Sequence, residues 1–364
     1  MWSRAIAGVL LVVAIQVSAQ DRETVLFDFD AYNPVPSPDG KLIAYDLTGR
    51  KLTGGSGGFG RSNLLSQVEF SDLSGNNRRN PSVEGFLGEW LPDSSAIATY
   101  RAWQFALLGP DGIMQHGAMP KPFFEDRQAP AERAAYLPTL GEFVWIGCED
   151  IGTAQQRTVL QTNSGPIASL NILLPTSGLI VPSPDGRYLA VGNLGPYLYE
   201  DPNLWVFDTE MQTWTNLGSF TIHPDPEWDY IKPSWNPWFS DSRHLAFFSG
   251  STLYVVSPNG KQRRKVLDAT NAGLAIPSPD GSLIAFIMSI PRPRKGRPDL
   301  SFWGGSSISV VPSGGGKAVA ITKPSDDETY DLRWLSNSSL VFDRIGDGLF
   351  NKGARIWTVP VALK

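Results

Sequence analysis

One short pattern, a turn followed by an apolar run, recurs seven times and constrains this chain more than anything else in it. Its clearest copies are PSPDGKLIAY (Pro36 to Tyr45), PSPDGRYLAV (Pro182 to Val191) and PSPDGSLIAF (Pro277 to Phe286). Weaker copies are WLPDSSAIAT (Trp90 to Thr99), WFSDSRHLAF (Trp238 to Phe247) and WLSNSSLVF (Trp334 to Phe342). YLPTLGEFVW (Tyr136 to Trp145) keeps the pattern without the aspartate. The second motif residues, Pro38, Pro92, Pro138, Pro184, Ser240, Pro279 and Ser336, are separated by 54, 46, 46, 56, 39 and 57 residues. Steps of that size mark a repeat array in which each unit is one small supersecondary piece.

The residue types explain the local structure. Proline presets φ for the first corner of a turn, aspartate bonds nearby backbone amides, and glycine takes the positive φ that completes the reversal. The residues that follow are apolar and β-prone, which suits a strand buried on both faces. Each copy therefore reads as the first hairpin of a small antiparallel sheet that must stack on its neighbours to bury its faces. Abundant turn residues (36 Gly, 29 Pro), 12 Trp and only 18% charged residues agree with an all-β chain, and no amphipathic helix is evident.

These hairpins resemble the WD-like repeat of TolB-type β-propellers, and the same hairpin occurs in the propeller domains of prolyl oligopeptidase relatives. The resemblance covers nearly all of the chain after the first thirty or so residues. It implies an all-β propeller of four-stranded antiparallel blades. Seven blades are preferred; six result if the degenerate unit at Tyr136 merges with a neighbour. Blade seven ends at Ile356 to Val359 without an outer strand, and Thr24 to Phe29 (TVLFDF) is a spare β-prone segment. That segment is expected to pair with blade seven and close the ring. TolB-type proteins carry an N-terminal α/β domain, whereas here the first repeat begins almost at once. No residues are left for the hydrolase domain of the peptidase relatives, so their activity is not expected.

Residues 1–19 read as a secretory signal peptide: Arg4, an apolar stretch from Ala5 to Val17, then Val17-Ser18-Ala19 before the cut. Residues 20–364 form one propeller domain in this reading, exported to the periplasm or beyond, with no transmembrane segment after cleavage. The formal net charge is −5, and −6 once Arg4 is removed, which argues against nucleic acid or an anionic membrane as a general partner. The single cysteine, Cys148, follows the apolar run Phe143 to Ile146 and is read as a buried, unreactive thiol.

In an up-and-down blade, the turns joining strands one to two and three to four share one face. Those turns are short here. The long insertions fall on the other face: Leu47 to Ser66, Met119 to Arg133, Gly192 to Asn203, Phe220 to Pro233, Ser289 to Ser306, Lys323 to Asp331 and Arg344 to Ala354. Long loops on one rim of a rigid scaffold are where binding concentrates. Aromatic and charged residues alternate within them, giving Phe124, Tyr199, Trp228, Tyr230, Arg294, Trp303 and Asp327 as candidate binding residues. Trp235 and Trp238 follow one of these clusters, and at least one of them is expected to pack in the first strand of blade five instead.

No catalytic constellation is evident. Gly54-Gly55-Ser56-Gly57-Gly58 matches a nucleophile elbow, and Gly55 to Gly60 a dinucleotide fingerprint, but both lie in one glycine loop without the strand-then-helix context. Of the three histidines, His244 lies in a repeat hairpin and His116 near the third-to-fourth turn of blade two. His223, beside Asp225, Glu227 and Asp229, is the weak metal candidate, and no cofactor is expected. The expected role is a non-enzymatic, exported module that holds a protein partner of the cell envelope on its long-loop face. The alternative is a propeller that binds a glycan or small molecule, or a polysaccharide lyase, at the channel mouth.

Overall fold

Every one of the seven repeated turns joins the first two strands of its own blade. The structure is a computed structural model of the 364-residue chain. It describes residues 23–48, 66–101, 104–118, 134–149, 157–172, 174, 178–192, 203–222, 235–294, 297–325, 329, 331–345 and 354–362. Strand β1 (Thr24–Phe27) precedes blade one, which holds β2 (Ala31–Pro36), β3 (Leu42–Thr48) and β4 (Ser66–Asp72). Blade two holds β5 (Phe86–Trp90), β6 (Ile97–Arg101), β7 (Gln104–Gly109) and β8 (Gly112–Ala118). Blade three holds β9 (Ala134–Leu137), β10 (Glu142–Glu149), β11 (Arg157–Thr162) and β12 (Gly165–Leu170). Blade four holds β13 (Leu179–Pro182), β14 (Tyr188–Gly192), β15 (Asn203–Asp208) and β16 (Thr213–Ser219). Blade five holds β17 (Leu245–Ser249), β18 (Thr252–Val256) and β19 (Arg263–Asp268). Blade six holds β20 (Ala272–Pro277), β21 (Leu283–Arg294), β22 (Arg297–Pro312) and β23 (Val319–Ala320). Blade seven holds β24 (Leu332–Ser336), β25 (Ser339–Ile345) and β26 (Ala354–Pro360).

The sheets are antiparallel with neighbours in chain order, except that β1 lies outside β26 and gives blade seven the order β1-β26-β25-β24. Two blades are completed by irregular strands. In blade one, Arg79 and Glu84 bridge to Phe70 and Gln67; in blade five, Trp238 bridges to Leu245. Among the described residues no helix is long and apolar enough to cross a membrane.

The core lies between blades, as expected of sheets buried on both faces. Blade one meets blade two through Val35, Phe70, Leu87 and Trp90. Blades two and three share Phe105, Phe143 and Trp145, and blades three and four share Ile146, Leu160, Leu189 and Phe207. One continuous cluster then runs from Leu179 in blade four through Phe247 and Ile287 to Phe342 in blade seven. The last interface, between blades seven and one, is Phe27, Ala31, Tyr45, Val341 and Ile356.

That last interface depends on the N-terminal strand, as the sequence led us to expect. Thr24, Val25 and Phe27 pair with Thr358, Trp357 and Ile356. The Phe27 ring is 2% exposed and lies 4.4 Å from the Tyr45 ring of blade one. Glu23 forms an ion pair with Arg344, and both side chains are mostly buried. The Tyr45 hydroxyl donates to Glu69 at 2.8 Å, and burial pushes this phenol well above its usual range. Gly75 is required beside this joint. Its φ is +80°, and a Cβ there would come 2.9 Å from Phe27.

The three full S-P-D-G turns are built alike, and serine contributes as much as proline and glycine. Ser37, Ser183 and Ser278 each donate to the aspartate two residues on, at 2.7, 2.6 and 2.7 Å. The same hydroxyls accept the amides of Leu42, Tyr188 and Leu283, which begin the second strand. Gly40, Gly186 and Gly281 hold φ at 67°, 72° and 71°. The tryptophan copies use a second device. The indole N–H of Trp90, Trp238 and Trp334 donates to the carbonyl of Val35, Val181 and Ile276, the residue just before the opening proline (Pro36, Pro182, Pro277) of the P-S-P-D-G motif in the preceding blade. The two motif variants thus alternate as partners, in blades one and two, four and five, and six and seven.

One expectation is corrected. Ser289 to Ser306 reads as a loop from its prolines and basic residues, yet β21 and β22 continue through it as a paired ribbon. Pro291 is opposite Trp303 and Arg294 is opposite Arg297. The prolines fit because the ladder is irregular there, with shifts between Ser289 and Pro291 and between Pro293 and Arg294.

Candidate functional site

The first strand of each blade runs along the central channel and ends in its repeat turn. The channel therefore opens on the tight-turn face inside a ring made by the repeat itself. Pro38, Pro92, Pro138, Pro184, Ser240, Pro279 and Ser336, the residues whose spacing defines the repeat, all line a cavity of about 660 Å³ at this mouth. Trp90, Tyr136, Trp235 and Trp334 contribute to its walls, and Glu89 and Asn236 reach it from below. The tryptophans are held by buried bonds, with the Trp235 indole donating to the Ala275 carbonyl at 2.8 Å. Trp235, Trp334 and Trp90 are at most 8% exposed, so these rings fix the shape of the mouth and are largely covered themselves.

Three blades meet through polar side chains across the channel. Arg333 of β24 donates to Glu89 Oε1 of β5 at 2.7 Å, and Asn236 of blade five donates to Glu89 Oε2 at 3.0 Å. Asn236 Oδ1 in turn accepts the Trp238 amide at 3.0 Å. The Arg333 and Glu89 side chains are 8% and 23% exposed. Glu89 and Arg333 each stand immediately before a motif tryptophan, Trp90 and Trp334, so equivalent repeat positions place them at the same level of the channel. Both carboxylate oxygens of Glu89 are occupied. The arrangement is a polar tie between blades two, five and seven, and not a free base in the channel.

Sequence reasoning did not find this network. The available signal was a charged residue at the position before the motif tryptophan, where the other repeats carry Val35, Ala135, Val181, Pro237 and Ile276. The partnership across three blades has no sequence signature, since the residues are 147 and 244 positions apart.

Most of the candidate binding residues lie outside the described residues: Phe124, Tyr199, Trp228, Tyr230 and Asp327, and also His223, Asp225, Glu227 and Asp229. Residues 49–65, which hold the glycine loop, do so too. Arg294 and Trp303 are placed by their backbones on the two strands of the blade-six ribbon. Trp235 and Trp238 are 1% and 5% exposed, so both are packed, where packing was expected of at least one. His244 stands in the repeat hairpin of blade five, with Nδ1 2.8 Å from Asp241 and its ring edge-on to Phe239. His116 lies in β8 opposite Ala106 and is exposed. Cys148 lies in β10 opposite Thr158, its side chain outside the described set. Among the described residues, no three His, Cys, Asp or Glu side chains are grouped to hold a metal ion.

The last distinctive feature is how unevenly the connections are distributed. On the tight-turn face, residues 37–41, 110–111, 163–164 and 337–338 are typical joins. On the other face, strands are joined by residues 49–65, 119–133 and 193–202, although two joins there are short, 102–103 and 250–251.

No family model and no curated protein matches the chain. Solved structures do match. The β-propeller domain of Cps50 (Swd1) from Myceliophteria thermophila superposes with a TM-score of 0.55 at 14% identity, covering 93% of this chain and 100% of that one. Oligogalacturonate lyase from Vibrio parahaemolyticus superposes with a TM-score of 0.57 at 13% identity, covering 93% of each chain. The propeller domain of the Trilobed protease from Pyrococcus furiosus, described as having an open velcro topology, gives 0.50 at 13% identity, covering 91% and 95%. Here, by contrast, β1 closes the ring against β26. At these identities the likeness concerns fold alone, and by fold this chain is a seven-bladed β-propeller of small antiparallel sheets.

Proposed function

We propose that this chain is an exported, TolB-type propeller that works without chemistry of its own, as a scaffold holding a protein partner of the cell envelope on its long-connection face. The asymmetry of the two faces carries this reading. The repeat turns are short and hydrogen-bonded, while the connections able to vary in length and composition gather on the opposite rim. The Glu89–Arg333–Asn236 tie supports it, because a carboxylate with both oxygens engaged by other blades braces the channel. The shared S-P-D-G construction supports the TolB-type assignment, and the leader read at residues 1–19 supports export.

The test is capture from a cell-envelope extract by the mature protein and by a Trp228→Ala, Trp303→Ala variant. A defined protein held by the first and lost from the second supports the scaffold; equal capture by both refutes this face as the interface. Export is checked separately by the mass of the mature chain, which should begin at Gln20.

A second reading rests on the vestibule of about 660 Å³ ringed by the repeat turns, which has room for a short saccharide. Titration with short uronic-acid and neutral oligosaccharides decides it. Saturable binding that Glu89→Gln weakens favours the channel mouth, and absence of heat with every sugar removes this alternative.

A further inference from the structure

Although the whole chain is acidic, one sector of its tight-turn rim carries a run of basic residues. Lys261-Gln262-Arg263-Arg264-Lys265 spans the third-to-fourth turn of blade five and the start of its outer strand β19, and every one of these residues is exposed. Lys317, also exposed, stands in the corresponding turn of blade six, and Arg243 in the first turn of blade five. These turns are neighbours. A Cβ at Gly260 would lie 3.4 Å from Thr215 of blade four, and one at Gly315 would lie 3.4 Å from the Val266 carbonyl of β19.

Four acidic groups of this sector are paired with basic side chains, while Asp185 and Asp280, exposed on the first turns of blades four and six, bond to serine hydroxyls. Asp268 pairs with Lys265 at 2.5 Å, Asp208 and Glu210 pair with Arg187 at 2.9 and 2.8 Å, and Asp241 pairs with His244. Arg263 donates to the Leu217 carbonyl and lies 4.0 Å from the Tyr254 ring centre. Lys261, Arg264, Lys317 and Arg243 have no carboxylate partner among the described residues. Basic residues on an outer strand keep sheet edges from pairing, which accounts for Arg264. It does not account for Lys261, Lys317 and Arg243, which are on turns.

The same rim exposes large apolar side chains. Met211, in the blade-four turn, is 65% exposed, and Val319, just after the blade-six turn, is 41% exposed. Cations without a carboxylate partner and exposed apolar groups on neighbouring turns of one rim match the chemistry of an anionic bilayer surface, where phosphates meet the cations and the interface receives the apolar tips. We propose that the tight-turn rim of blades four to six docks on an anionic lipid bilayer. The long-connection face then points away from the membrane.

The test is co-sedimentation of the mature protein with vesicles of phosphatidylcholine alone and with phosphatidylglycerol at roughly 40 mol%, at low salt. Binding is expected only with the anionic lipid, and it should fall steeply in high salt. Lys261→Glu, Arg264→Glu, Lys317→Glu together should weaken it at least about 30-fold, since each cation near the surface contributes an independent factor. An unchanged melting temperature confirms that this variant is folded, and the milder Lys261→Gln, Arg264→Gln pair should show a smaller loss. Met211→Ser, Val319→Ser should weaken vesicle binding several-fold while leaving binding to soluble polyglutamate unchanged. Equal partition onto both vesicle types, or full binding by the charge-reversed variant, overturns the proposal. Indifference to the Met211 and Val319 changes also overturns it, in favour of an acidic protein partner.

Discussion

The backbone amide of Asp185 donates a 3.0 Å hydrogen bond to the hydroxyl of Ser242 in the next blade, and Ser242 holds φ at 57° to receive it. Asp39 and Ser94 repeat the relationship at 2.9 Å, with Ser94 at φ 61°. The full S-P-D-G copies put glycine at this left-handed position; the tryptophan copies in blades two and five put serine there. A non-glycine residue in that region costs on the order of 1 kcal/mol, which the bond between blades offsets.

Ser242→Ala should therefore be worse than Ser242→Gly. Alanine keeps the strained φ and loses the bond, an expected loss of about 1–2 kcal/mol. Glycine loses the bond but releases the strain, so its loss should stay near or below about 1 kcal/mol. Urea midpoints of the two variants and the wild type check the order; an alanine variant as stable as the glycine variant would show that the left-handed φ carries no cost, and a glycine variant as stable as the wild type would show that the bond matters little.

Ring closure should be sensitive to a methyl group. Gly75→Ala combines a φ of +80° with a Cβ 2.9 Å from the Phe27 ring. The expected cost is about 1–3 kcal/mol, felt first as loosening of β1 from β26. Hydrogen exchange of the Thr24–Phe27 amides should accelerate more than that of the first strands of blades four to six.

Glu89→Ala removes the acceptor shared by Arg333 and Asn236 from the channel. A stability loss of about 2–4 kcal/mol is expected, because two largely buried donors lose their partner. A double-mutant cycle with Arg333→Ala should return a coupling of about 1–3 kcal/mol. A coupling near zero would mean that the tie contributes nothing to holding blades two and seven in place.

Acid should weaken the repeat turns. The Ser37 hydroxyl holds the Asp39 carboxyl below its usual range, and Ser278 and Ser95 do the same for Asp280 and Asp93. A carboxyl whose folded pKa is depressed contributes stability that is fully present above the unfolded pKa of about 4 and is lost as pH falls through the folded value. Melting temperature should thus drop below about pH 4 from this source. Ser278→Ala, by bringing the Asp280 carboxyl back toward its unfolded value, should lower stability at neutral pH and flatten the acid dependence. A steeper acid dependence in that variant would contradict the assignment.

The N-terminal closure was legible because a β-prone segment was left over at one end and an outer strand was missing at the other. The ribbon of blade six was misread for a local reason. Pro291 and Pro293 signal a break, but a paired ribbon tolerates proline where its ladder is irregular, and only the opposite strand reveals that irregularity. The blade-five tryptophans could be read either as binding platforms or as core. Their indole bonds to Ala275 and Val181 decided for core, and those carbonyls belong to other blades.

By itself, the sequence determined the blade repeat, with seven blades preferred over six, the site and sharpness of the first hairpins, and the face on which long connections gather. These follow from turn chemistry and strand periodicity, which act over a few residues and recur at each repeat. Tertiary structure alone decided the Glu89–Arg333–Asn236 tie, the pairing of tryptophan with S-P-D-G turns, and the gathering of Lys261, Arg264 and Lys317 beside Met211 and Val319. Those relationships arise when the ring closes and brings equivalent positions of different blades to the same height, and no local pattern specifies which residues will then be neighbours.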